Sequence, residues 1–275
     1  MSRPYFIDLE TVPLGTTLER PNGVPDWWLE RLPFVEPQLG HVDRSNYRGD
    51  RAQVRRLALK LQHEHALKHE RAAWMAERLN HWRRRALDPY TAEIVSVAAH
   101  PVQGDVPGPF HGVCDAEIQM VREHGETEAE LVRRLEDALA AAGVSHLVHW
   151  GAYDTPVLRE AMCRAGGRFP TLRSITRQRV RELGPVYPAC LDARPLTHGA
   201  RFDRERRWSL KSVAAAVGIE DTARVASASI YDAWLERDCY GVAERAAVDV
   251  SLMMQILKRE RALMDVIEWA TGDRW

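Results

Sequence analysis

The residues most able to do chemistry appear almost at once. Residues 5–12 read YFIDLETV, an apolar, β-branched and aromatic run with two carboxylates in its middle. Such a run predicts a strand, and in a strand residues two apart share a face. Asp8 and Glu10 are therefore expected side by side, two negative charges on one surface. Like charges at that spacing raise each other's pKa. A divalent cation would resolve the conflict, because hard cations take carboxylate oxygens. The alternative is a solvated edge strand carrying two ordinary acids.

Two further acids stand out by position. Asp154 lies where a strand, VSHLVHW (144–150), gives way to a helix, DTPVLREAMCRAG (154–166). Strand-to-helix junctions are common places for functional groups in α/β proteins, and equally common places for a capping acid. Asp249 falls inside a helical pattern, with Leu252, Met253 and Ile256 at i+3, i+4 and i+7. That places it on the core-facing stripe, where an unpaired carboxylate is costly. A metal would satisfy it, and so would Arg245 one turn earlier as an i,i+4 partner.

The elements that must position these acids follow an alternating pattern. EIVSVAAHPV (93–102) reads as a second strand and PFHGVC (109–114) as a third. EAELVRRLEDALAAAG (128–143) is an amphipathic helix ending at Gly143, and VYPACLDARPL (186–196) is a short strand or loop. WSLKSVAAAVGI (208–219) is a helix closed by Gly218, and SASIYDAWLER (227–237) and residues 241–264 are further helices. The expected fold is α/β, a mixed central sheet with helices on its faces, in a single domain spanning 1–275.

Charge separates one segment from the rest. The 275 residues carry a net charge of −1, yet residues 44–85 hold twelve Lys or Arg against four Asp or Glu. Val54, Leu57 and Leu61, and again Met75, Leu79 and Trp82, recur at helical spacing. One long helix or two shorter ones are expected, with a narrow apolar stripe and a broad basic face. That face is either a solvated surface or a contact for a phosphate backbone. His63, His65, His69 and His81 lie on it, and His65 and His69 are spaced to share a helical face as solvated side chains or as a metal pair. Residues 13–52 before it are rich in Pro and Gly and contain PNGVPDWW, whose Trp27 and Trp28 either stack on bases or cap the core. The whole segment, about 13–88, reads as an insertion after the first strand.

Composition narrows the class. With 45% apolar residues the chain can bury a sizeable core. Cys114, Cys163, Cys190 and Cys239 are far apart with no CxxC pair, which argues against a zinc site or a disulfide framework and fits a reducing cytoplasm. No signal peptide and no run of membrane-spanning length is seen in the sequence.

The order of the acids carries a resemblance. DxE in a first strand, Asp after a later strand and Asp in a final helix resembles the DEDD (DnaQ-like) 3′→5′ exonucleases of the ribonuclease H-like fold. FIDLET resembles their first motif, HWGAYD (149–154) their second and ERAAVD (244–249) their third. LDARPL with WSLKSVAAAVGI resembles the segment that precedes the third, so the likeness covers residues 5–12 and about 90–257. LDPYTAEIVSVA and the charged insertion upstream of it most resemble the branch related to the polymerase B exonuclease domain. The resemblance implies that Asp8, Glu10, Asp154 and Asp249 hold two Mg²⁺ or Mn²⁺ ions in a two-metal phosphodiesterase site. It implies that Thr11 touches the terminal nucleotide with Tyr153 on the substrate side, while Trp150, standing where the family has Asn, is expected to pack either against a base or against the core.

Family members carry a His five residues, or a Tyr four residues, before the last Asp. Glu244 and Arg245 stand there in this chain. A carboxylate at 244 could serve as base, whereas Arg245 stays protonated and is suited to phosphate or to Asp249. Three functions are thus weighed: a metal-dependent exonuclease on single-stranded DNA or DNA 3′ ends, a degenerate nuclease fold that binds nucleic acid or replication and repair proteins, and, behind these, a structure-selective endonuclease on the same fold.

Overall fold

The computed structural model describes residues 3–20, 22–31, 34–35, 50–102, 116–123, 125–151, 153–182 and 209–259. The chain divides into two compact units, residues 15–85 and the remainder. The larger unit is a five-stranded mixed sheet flanked by helices. Its strands are β1 (Pro4–Pro13), β2 (Ala92–Pro101), β3 (Ile118–Val121), β4 (His146–His149) and β5 (Val180–Glu182). They lie in the order β3-β2-β1-β4-β5. β1 runs antiparallel to β2 and parallel to β4, so it is central and shielded on both edges.

Strand alternation builds two cores from one strand. Tyr5, Ile7 and Leu9 of β1 enter one core with α3 (Glu128–Ala141), α4 (Asp154–Ala165) and α5 (Pro170–Gln178). Phe6 enters the other, with α6 (Leu210–Ala216) and α8 (Cys239–Arg259). The period of two then carries Asp8 and Glu10 onto the Phe6 face. Residues 92–99 of β2 are buried without a break, as expected of a strand covered on both faces. The β1–β2 register shifts after Glu10: Glu10 faces Ser96 while Thr11 faces Ile94, leaving Val95 as the extra residue of a bulge. The bulge brings Ile94 into the same core as Leu9.

Local signals fix the helices. Thr127 accepts from the backbone N–H of Glu130 while Glu130 accepts from that of Thr127, a reciprocal capping box that starts α3. Gly143 follows α3 with φ +65°, and Gly218 follows α6 with φ +71°, the left-handed conformation that favours glycine at helix ends. Glu128 ties α3 to α4 and β2, accepting two bonds of 2.9 Å from Arg164 and one of 2.8 Å from the Ile94 N–H. Glu136 accepts from the N–H groups of Thr171 and Leu172, satisfying the start of α5. α7 (Ile230–Leu235) buries Trp234, with the Arg122 guanidinium 4.9 Å above its ring.

The smaller unit contains α1 (Asp26–Glu30) and α2 (Asp50–Arg84), the latter a single helix of 35 residues. Leu57 and Leu61 stay more than half exposed, so the expected apolar stripe is not covered there, whereas Trp82 is fully buried. The rings of Trp27, Trp28 and Trp82 lie 5.4–6.0 Å apart, with the guanidiniums of Arg78 and Arg85 within 5.0 Å of the Trp28 ring. Trp28 is thus engaged by its own unit, while Trp27 keeps 44% of its surface. The His65 and His69 rings do lie on one face, 4.4 Å apart.

Several expectations change. The third strand lies at 118–121, and the one expected at 109–114 falls outside the described residues, as do residues 186–196 and 260–264. Neither α5 nor β5 was expected. Among the described residues, no helix is long and apolar enough to cross a membrane.

Candidate metal centre

β1 supplies the first two acids, and α8, packed over the same face, supplies the third. Carboxylate oxygens of Asp8, Glu10 and Asp249 all lie within 4.8 Å of one another, the one group of three metal-ligating side chains among the described residues. Glu10 and Asp249 are buried and Asp8 is half-buried. Burial and the charge of Asp249 push Asp8 and Glu10 well above the usual carboxylate range, and the charge of Glu10 adds to the rise of Asp8. Burial also raises Asp249, against the pull of Arg245.

Asp154 stands at the rim of this group. It is the first helical residue of α4 rather than the residue capping it, and the preceding Tyr153 makes no side-chain cap. Its charge contributes to raising Asp8 and Glu10, but its carboxylate is not within the 4.8 Å group. One Asp154 oxygen lies 3.7 Å from Nδ1 of His149. Burial holds that imidazole down to about 4, so it is neutral at pH 7, and its Nε2 meets the Thr155 hydroxyl at 2.9 Å.

A depressed histidine gives a pH prediction with a definite sign. Its contribution to stability is complete above the unfolded value near 6.5 and declines as pH falls towards 4, because the unfolded chain binds the proton first. Unfolding in urea followed from pH 7 to pH 4 should show a loss on the order of 3 kcal/mol from this group. His149→Gln should show a correspondingly flatter profile between pH 6.5 and 4.

Arg245 shapes the centre more than its sequence position suggested. It is fully buried on α8 and clamps two carboxylates. Nε donates to Asp249 at 3.2 Å and a terminal nitrogen donates to the other Asp249 oxygen, while Nη1 donates to both Asp221 oxygens at 2.7 and 2.9 Å. Partial burial would raise Asp221, but hydrogen bonds and charge from Arg245 hold it below its ordinary value. Lys211 adds a second cation, 3.4 Å from Asp221 and hydrogen-bonded to the Ser227 hydroxyl, and its charge reaches Glu10 and Asp249. The i,i+4 pairing of Arg245 with Asp249 that the sequence allowed is therefore formed.

The remaining expected site residues are placed differently. Glu244, expected as a base, is not brought to the cluster: its carboxylate accepts from the Arg224 backbone N–H at 3.4 Å and lies 3.9 Å from the Arg224 side chain. Five residues on a helix turn about 140° away from the same face, which is the physical reason. Of the two places open to Trp150, base or core, the structure shows the core, with Phe6, Val148 and Leu210. Thr11 and Tyr153 form a small network instead of open contacts. The Thr11 hydroxyl donates to the Ala86 carbonyl at 2.9 Å and lies 3.1 Å from the Tyr153 hydroxyl, which also donates to that carbonyl. Burial pushes the Tyr153 phenol up to about 12, so it stays protonated.

Asp221, Lys211 and His149 were not singled out from sequence. The only signal for Asp221 is a buried arginine on α8 in need of a second acid.

Three hard-oxygen donors converging in a largely buried position fit Mg²⁺ or Mn²⁺ by ligand chemistry. In comparisons with known proteins, no protein-family model matches the chain, nor does any curated protein or solved structure.

Proposed function

We propose that the protein is a metal-dependent 3′→5′ exonuclease of the DEDD type, with a ribonuclease H-like fold, acting on single-stranded DNA or DNA 3′ ends. The observation that carries this reading is the convergence of Asp8, Glu10 and Asp249 within 4.8 Å, from β1 and α8, in the motif order of that family. The central mixed sheet with helices on both faces agrees with it. Asp8, Glu10 and Asp249 would hold the cations, with Asp154 available from the rim. The cations would supply positive charge at the scissile phosphate and acidify the attacking water. Arg245 fixes the carboxylate of Asp249 and offsets part of the negative charge that would repel a phosphate. Lys211, partly exposed, presents a cation to the same face. With Glu244 turned towards Arg224, no side chain of the third motif serves as a dedicated base.

The Arg245 clamp also supports a second reading, because a guanidinium already neutralising Asp249 is what a degenerate site would keep. The protein would then bind nucleic acid or replication and repair proteins without cutting.

A time course on 5′-labelled linear single-stranded DNA separates the two. The exonuclease reading expects a shrinking ladder with Mg²⁺ or Mn²⁺, none with EDTA, and none from Asp8→Asn. Binding without a ladder in either metal supports the degenerate reading. Cleavage of a circular strand would instead indicate an endonuclease.

A further inference from the structure

Residues 159–181 contain seven arginines and one acid, Glu160. Arg164 is committed to Glu128. Arg159, Arg173 and Arg177 instead line one cavity of about 250 Å³ formed by α4, α5 and the turn between them. Among the described residues, no carboxylate lines it. Protein surfaces ordinarily intersperse the two signs of charge, so three arginines around a cavity with no acid among its described lining residues favour an anion there. Arg159 is anchored by donating to the Thr176 carbonyl, while Arg173 and Arg177 lie one turn apart on α5 and remain exposed.

The floor of the cavity is apolar. Phe169 packs against Gly167, where an added Cβ would come within 3.3 Å of the ring. Guanidinium forks match phosphate oxygens, and an apolar floor matches a sugar or base. The volume falls below the roughly 300–1,000 Å³ of pockets that enclose a whole small ligand. It fits one unit of a longer chain better than a free molecule.

We infer that this cavity seats a phosphate and its sugar from a nucleic-acid strand, at a contact separate from the acidic centre. Arg159 is five residues beyond Asp154 on α4, about 7.5 Å of helix rise. The inference extends the nuclease reading by saying where a strand is held, and it rests on that reading for the kind of ligand alone. Binding at the cavity needs neither cation nor cleavage.

The cavity carries its own reporter, because Cys163 is an exposed free thiol on its wall. The experiment is run in EDTA on the full chain with labelled oligothymidylate across a salt series. Arg173→Ala/Arg177→Ala is expected to bind about tenfold more weakly, with a log K against log salt slope shallower by about 1.4, two contacts at roughly 0.7 each for a single strand. Oligothymidylate should also slow iodoacetamide alkylation of Cys163, read by peptide mass spectrometry against Cys239, and thymidine monophosphate or inorganic phosphate should not do so at equal phosphate concentration.

Unchanged affinity in the double variant, or a loss seen only in Lys60→Ala/Lys68→Ala on α2, would overturn the inference. So would an unprotected Cys163, or protection by free phosphate equal to that by the strand. Absence of metal-dependent cleavage with these binding effects intact would defeat the nuclease reading and leave the cavity assignment standing.

Discussion

Mn²⁺ added to the metal-free protein at pH 8 should raise its melting temperature by about 5–10 °C, and Asp8→Asn should melt higher than the wild type in EDTA yet gain nothing from Mn²⁺. Burial and neighbouring charge raise the folded-state pKa values of Asp8 and Glu10. A raised carboxyl contributes stability below its unfolded value, near 4, and that contribution is lost as pH rises through the folded value. The metal-free fold is therefore penalised at pH 8, far above the unfolded value, by the cost of holding both acids in a buried place beside Asp249. Removing one charge relieves the penalty, and so does a cation. A ligand at about 100 times its Kd stabilises by about 2.7 kcal/mol, which at about 2–4 °C per kcal/mol for a chain of this size gives the stated shift. Because the ligands must lose protons to bind, the gain at pH 5 should be smaller. Differential scanning fluorimetry at both pH values checks this. Equal gains in the wild type and Asp8→Asn, or a larger gain at pH 5, would count against the site.

Arg245→Met should cost about 3–5 kcal/mol in urea unfolding with EDTA, and Mn²⁺ should restore part of the loss. The variant keeps the side-chain bulk but leaves Asp249 buried without its cation and Asp221 without its strongest partner. Breaking a buried pair from one side is costly because the charge left behind has no compensation. Asp221→Asn should cost less, since Asp221 is partly exposed and the Arg245–Asp249 bond survives. The two variants should also diverge in cation affinity. Arg245→Met frees Asp249 as a ligand and should bind Mn²⁺ more tightly than the wild type does. A cost under about 1 kcal/mol would contradict the account of the buried clamp, and weaker binding would contradict the account of competition.

Much of this arrangement is legible in the sequence because it follows from two periodicities. The alternation in YFIDLETV places Asp8 and Glu10 on one face, and the 3.6-residue period places Asp249 on the core stripe of α8. Their meeting follows once α8 covers that face of β1. The same geometry shows why Glu244 misses the cluster while Arg245, one turn from Asp249, reaches it. For Trp150 the second motif leaves base or core open, and the structure places its ring in the core with Phe6.

Other parts leave no periodic trace. Asp221 sits between α6 and the short turn before α7, and only a buried arginine elsewhere gives it a role. The segment forming α5 is an exception: Phe169, Leu172 and Ile175 recur at helical spacing around Pro170 in the first turn, a short signal set among arginines. The charge asymmetry on α2 was visible, but the arginine cradle on α4 and α5 was not, because its members come from two helices. On α2 the spacing of Leu57 and Leu61 indicates a helix with an apolar stripe but not what covers it, since periodicity reports a face alone, and both leucines stay more than half exposed.

The central claim is that Asp8, Glu10 and Asp249 are assembled to hold divalent cations. Electron paramagnetic resonance of Mn²⁺ titrated into the metal-free protein at pH 8 tests it most directly, by counting the free ion that remains. Saturable binding in the wild type, lost in Asp8→Asn and strengthened in Arg245→Met, is the predicted result. Free Mn²⁺ rising in step with the amount added, identically in all three proteins, would contradict it and leave Arg245 and Lys211 as the counter-ions of a structural acid cluster.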